Sequence, residues 1–210
     1  MLGMIPFDAL ATFVVASILL DLAPGPDNIF VLTQSALYGR RAGIMVTLGL
    51  CTGLIVHTSL VAFGVAALIK ASPVAFTVLK TVGAGYLLYL AWGAFRTRAE
   101  ALPADAVPGL TPVQYYRRGI IMNVTNPKVS VFFLAFLPQF ADPDHGPLAP
   151  QIFLLGGVFM VFALVIFGAI AILAGTLGDQ LRQSPRIQVH MNRVVGAVFV
   201  VLALKLLIPA

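Results

Sequence analysis

Two apolar stretches of membrane-spanning length are each interrupted by proline beside a charged side chain. The first interruption is Pro24-Gly25-Pro26-Asp27-Asn28 and the second is Asn126-Pro127-Lys128. Proline lacks a backbone donor and its ring clashes with the preceding turn, so each interruption ends one helix and begins another. A bilayer offers no water to the freed backbone groups or to the charge, and such breaks persist only where protein or a water-filled cavity surrounds them. A chain with two of them is constrained to bury both, which predicts half-helices meeting inside the membrane.

Composition agrees with a membrane-embedded chain: 60% of the 210 residues are hydrophobic, 10% are charged, and the mean hydropathy is +0.98. The net charge of +5 comes from arginines in short gaps between apolar runs rather than from one basic face. That distribution speaks for cytoplasmic anchoring and against nucleic-acid binding. Cys51 is the single cysteine, lies in an apolar run and reads as a packing residue. The first positive side chain is Arg40, so the first apolar run lacks a basic leader and reads as a retained helix.

Six spans separate at the polar gaps: Phe7 to Leu37 with the first break, Gly43 to Ile69, Val74 to Phe95, Gly119 to Leu137 with the second break, Gln151 to Gly175, and Met191 to Ile208. Unbroken, the first would be about 46 Å long, well beyond a hydrocarbon core of about 30 Å. Its excess length is itself an argument for two half-helices. The polar stretch Ala99 to Thr111 is the seam between two groups of three spans. The expected organisation is therefore all-α: a three-helix repeat over residues 1–98, a cytoplasmic linker over 99–116, and a second, inverted repeat over 117–210, together forming one compact membrane unit.

Arg40, Arg41, Arg96, Arg98, Arg117, Arg118, Arg182, Arg186 and Arg193 all fall in loops on one side of this layout. By the positive-inside rule that side is cytoplasmic, and both termini face outward, the periplasmic side in a bacterium. Counted along the helices, Asp27 lies about 15 Å and Asn126 about 12 Å from the cytoplasmic end, so the breaks meet near the midplane.

The chemistry at the breaks follows from residue type. Asn126 is placed to cap the second half-helix, and Pro127 and Pro26 fit the first helical position, where a missing N–H costs nothing. Each half-helix then points free N–H groups and a positive dipole end at the centre, which suits a carboxylate. Asp27 and Lys128 are expected to pair, directly or through water, because either alone in hydrocarbon is costly. The substrate-binding set is thus Pro24, Gly25, Pro26, Asp27, Asn28, Asn126, Pro127 and Lys128, serving a small anionic or zwitterionic solute. Asp21, one turn after Ser17, joins Asp27 and His57 as a candidate for proton coupling, since removal from water favours the neutral form of a carboxyl group. Secondary candidates are Thr52 in the His57 helix, Lys80 about a turn and a half inside the third span, Asn123 and Gln139. Tyr86, Tyr89, Trp92 and Phe95 read as interface and packing aromatics.

Several motifs occur together in order: Pro24-Gly25-Pro26-Asp27, the Arg40-Arg41 loop, Gly49 to His57 as G-x-x-T-G-x-x-x-H, Gly83 to Trp92, and Asn123-Val124-Thr125-Asn126-Pro127-Lys128 followed by Leu137-Pro138-Gln139-Phe140. This combination resembles the lysine exporter superfamily, RhtB type, over nearly the whole chain. The resemblance implies a bacterial inner-membrane protein, not an enzyme, that exports amino acids or close derivatives such as threonine, homoserine, leucine or cationic amino acids in exchange for protons. No cofactor box is visible in the sequence, and a homo-oligomer is left open. Asp21 stands where many relatives carry a neutral residue. A divalent metal exporter using Asp21, Asp27 and His57 is the alternative, although no clustered Cys/His spacing accompanies them. A thiol–disulfide carrier would need a second cysteine, and an intramembrane enzyme built on Ser59 and His57 would need residues two apart to face each other.

Overall fold

In the computed structural model, residues 4–23, 25–65, 67, 72–96, 109–182 and 185–207 are described. Pro24, Arg98 and most of the expected linker lie outside them, as does Ile208 at the expected end of the last span. The described chain is helical without strands. Helix α1 (Phe7–Leu22) is followed by α2 (Pro26–Tyr38), α3 (Arg40–Leu60), α4 (Pro73–Arg96), α5 (Pro112–Thr125), α6 (Pro127–Val131), α7 (Leu148–Arg182) and α8 (Pro185–Leu207). A π-helical turn, Val61–Val65, extends α3, and a π turn (Phe132–Phe136) and a 3-10 turn (Leu137–Phe140) extend α6.

Both proline breaks form where the sequence places them. Pro26 and Pro127 each occupy the first turn of a new helix, after an extended Gly25 and an extended Asn126. The axes bend by 54° between α1 and α2, and by 51° between α5 and the α6 segment. Among the described residues three helices are long and apolar enough to cross a membrane alone, within Arg40–Gly64, Val74–Arg96 and Leu148–Ala174; counting each bent pair as one span brings the number to five. Helix α8 adds 23 residues in the region of the sixth expected span.

Packing centres on α3 and α7. Helix α3 lies against α5 and α7, α7 against both α1 and α2, and α4 pairs with α8. The α3–α5 contact is backbone on backbone: a Cβ on Gly49 would collide with the Tyr116 carbonyl, and one on Gly119 with the Val46 carbonyl. Small residues thus serve as they do in other membrane helix pairs, by letting two axes approach closely. Below this contact, Phe13, Phe132, Phe133, Phe136 and Phe159 form a fully enclosed aromatic cluster, with Phe132 and Phe159 5.3 Å apart between ring centres. The outer surface is the reverse of a soluble protein's. Val74, Val78, Val82, Tyr89 and Trp92 on α4 are exposed, as are Val161 and Val165 on α7. Hydrocarbon rather than water solvates such a surface, and the Arg96 guanidinium stacked 4.1 Å from the Trp92 ring marks where α4 reaches the interface.

Candidate functional site

The two breaks come together at the centre of the molecule, and the residue that joins them is Lys128. Its amine donates to the carbonyls of Leu20 at 3.2 Å and Ala23 at 3.0 Å, the end of α1. The last carbonyls of a helix have no partner within it, and a positive group at that end also meets the negative pole of the dipole. Gly25 makes the approach feasible, since a Cβ there would stand 3.0 Å from the lysine nitrogen. Asn28 completes the repair of α1 by donating its Nδ2 to the Asp21 carbonyl at 2.6 Å. Helix α6 is capped as its sequence suggests: the Lys128 N–H donates to Asn126 Oδ1 at 3.0 Å, and Ser130 N–H donates to the Asn126 carbonyl at 3.0 Å.

Asp27 lies beside this contact, and Asn123 Nδ2 donates to its Oδ2 at 3.4 Å. No Asp–Lys pair lies within 4.0 Å among the described residues; the ion pair found there joins His145 and Asp142 at 2.9 Å. The expected Asp27–Lys128 pair is therefore not a direct contact here; two of the amine's three donors go to backbone carbonyls. His57 enters from α3, its Nε2 donating to the Asn123 carbonyl at 3.1 Å and its ring 5.6 Å from that of Phe133. Gly53, one turn earlier, accommodates Asn123, whose Cβ would stand 2.8 Å from an added methyl group.

A cavity of about 10 Å³ is lined by the polar Asp21, Asp27, Asn123 and Lys128 together with the apolar Leu20, Leu54, Val129, Phe159 and Phe167. That volume is about what one water needs. On its lining residues, Asp21 Oδ2, Asp27 Oδ1 and Asn123 Oδ1 are buried without a hydrogen-bond partner, as are Asn28 Oδ1 and Asn126 Nδ2 at the breaks and Thr33 Oγ1 further along α2. Each would ordinarily cost about 1–3 kcal/mol if left unsatisfied, so this many at the two breaks call for an explanation.

The structure thus brings together Gly25, Pro26, Asp27, Asn28, Asn126, Pro127 and Lys128 with Asp21, His57 and Asn123. Thr52, Lys80 and Gln139 have other surroundings. Thr52 shares a 2.9 Å hydrogen bond with the Tyr116 hydroxyl, Lys80 lies 5.5 Å from the Phe76 ring, and Gln139 donates to the Ala135 carbonyl at 2.9 Å. The apolar wall went unrecognised in the sequence. Phe159 and Phe167 are eight residues apart, two turns of one helix face, but α7 is apolar all round and its periodicity singles out no side. As for a metal, the described residues contain no group of three or more His, Cys, Asp and Glu side chains able to hold an ion.

Comparison with known proteins places this arrangement in a family. An uncharacterised membrane protein of Vibrio cholerae is 36% identical over 190 residues, covering 89% of this chain and 90% of that protein. An uncharacterised membrane protein of Pseudomonas aeruginosa is 34% identical over 204 residues, 93% of each chain. A homoserine/homoserine lactone efflux protein of Salmonella typhimurium is 32% identical over 187 residues, covering 89% of this chain and 90% of that one. No solved structure matches the chain. The family model described as LysE type translocator matches residues 18–209, which take in both breaks and every helix but the start of α1, and the chain is a membrane protein belonging to that family.

Proposed function

We propose that this protein is a secondary transporter that exports amino acids or close derivatives across the bacterial inner membrane by alternating access and proton exchange. The observation that carries the reading is the cluster of unpartnered buried polar atoms shared between the two breaks, around a space too small for any amino acid. A solute site this tight must open to admit its cargo, and it sits where two helices are already discontinuous. The solute's carboxylate would meet the Asn126 cap and Lys128, and its amino group Asp27. The polar atoms suit both ends of a zwitterion, four being acceptors and Asn126 Nδ2 a donor. The name of the Salmonella relative supports homoserine and its lactone as first substrates to try.

Six spans in two inverted halves agree with the packing. Exchanging the halves maps the contact of α3 with α5 onto that of α7 with α1 and α2, while α3–α7 and α4–α8 map onto themselves. Gly25-Pro26-Asp27 and Asn126-Pro127-Lys128 are then equivalent positions, each a capping residue, a proline and a charge. With Arg40, Arg96, Arg117 and Arg118 on the cytoplasmic side, both termini would face the periplasm. Proton exchange is supported by charge balance, since the cavity holds two carboxyl groups, Asp21 and Asp27, against one amine. A divalent metal exporter finds no ligand cluster among the described residues to support it.

The test is efflux from vesicles loaded with a panel of labelled amino acids, with and without a pH gradient. The reading expects saturable efflux of at least one amino acid or derivative, accelerated by the gradient. Gradient-independent leakage equal to that of empty vesicles for the whole panel would contradict it.

A further inference from the structure

The Lys128 amine is held by two backbone carbonyls, those of Leu20 and Ala23, at the broken end of α1. An ammonium has three N–H donors, and two of them are used in this cradle. The neighbouring acceptors Asp21 Oδ2 and Asp27 Oδ1 are buried and unpartnered, and both residues line the same cavity as Lys128. Two carbonyls flanked by two carboxyl groups are a receptor for a primary amine, and the side-chain amine of lysine is chemically the same group as the amino end of an amino acid. The contact also crosses the molecule, since Lys128 starts α6 whereas Leu20 and Ala23 end α1.

We infer that the cradle formed by the Leu20 and Ala23 carbonyls with Asp21 and Asp27 is the solute's amine subsite, and that Lys128 occupies it as an internal competitor. The solute's amine displaces that of Lys128, which is thereby released to take the solute's carboxylate, and the link between α1 and α6 loosens as binding occurs. Binding and opening are coupled because a cavity of about 10 Å³ has no room for both amines. This deepens the amino-acid reading above, on which it rests for the identity of the solute.

The prediction separates an amine from a carboxylate. Purified full-length protein is titrated with methylamine, propionate and homoserine, as wild type and as Lys128→Met. Removing the competitor tightens methylamine binding by about tenfold, the gain expected when a subsite free about a tenth of the time becomes fully free. The same change abolishes whatever affinity propionate has. In the wild type, saturating methylamine also shifts the Lys128 Nζ resonance of ¹⁵N-lysine-labelled protein, a readout that needs no variant to fold. Methylamine binding unchanged or weakened in Lys128→Met, or a Lys128 resonance unmoved at saturating methylamine, overturns the inference. Homoserine binding to the wild type reports separately on the amino-acid reading. If homoserine binds while methylamine behaves as in the overturning case, the cradle falls and the solute class stands.

Discussion

At the scale of residues, most of the chemistry here is repair of interrupted helices. Lys128, Asn28 and Asn126 each satisfy backbone groups that a proline break leaves open, and only after that accounting do Asp21, Asp27 and Asn123 remain with spare acceptors. Asn28→Ala removes the donor to the Asp21 carbonyl and should cost about 1–3 kcal/mol, read as a lower unfolding midpoint in detergent. An unchanged midpoint would mean that the carbonyl finds another partner. Outside the membrane, the Asp142 carboxyl is held below the usual carboxylate range by the Asp144 N–H and by the His145 side chain. A depressed folded value means that its contribution to ordering the turn is complete above the unfolded value of about 3.9 and is lost as pH falls through the folded one. Protection of the Asp144, His145 and Gly146 amides, taken relative to their intrinsic exchange rates, should therefore hold at neutral pH and fall only below about pH 4, and Asp142→Asn should remove that acid loss.

At the scale of elements, the breaks and long apolar helices were legible because proline and hydropathy act locally. Pro26 and Pro127 both took the first helical turn, and the Asn126 cap formed as its side chain suggested. What the sequence concealed was long-range. Nothing in the residues near Lys128 says that its amine will reach carbonyls 105 and 108 positions earlier. The expected pair with Asp27, direct or through water, shows no direct contact, and Asn123 donates to that carboxyl group. Phe159 and Phe167 were hidden for the opposite reason, in a helix whose every face is apolar. The Gly49–Gly119 contact is long-range in the same way as that of Lys128, joining the backbones of α3 and α5. Gly49→Ala forces the two backbones apart and should destabilise the fold by about 1–3 kcal/mol. Gly53→Ala, crowding Asn123 instead, should leave stability nearer wild type and reduce solute affinity. Parallel thermal melts and binding titrations separate the two; equal loss of affinity in both would remove the positional distinction.

At the scale of the whole molecule, segments far apart in the chain enclose one cavity. Asp21 and Asp27 come from before and after the first break, Asn123 and Lys128 from before and after the second, and the cavity between them has room for little more than a water. The proposed transport requires at least two conformations, and a solute shifts their balance only through different affinity for each. Val129 lines the cavity and is 4% exposed, and Cys51 is the one native cysteine, so a single reporter thiol is readily installed there. In a Cys51→Ser, Val129→Cys protein held in oriented vesicles, a membrane-impermeant thiol reagent is applied from each side in turn, with and without a transported amino acid. Alternating access predicts modification from both sides at rates that the solute changes in opposite directions. A thiol that reacts from neither side, or at rates indifferent to every amino acid that the protein transports, would contradict the claim that the two breaks form the pathway.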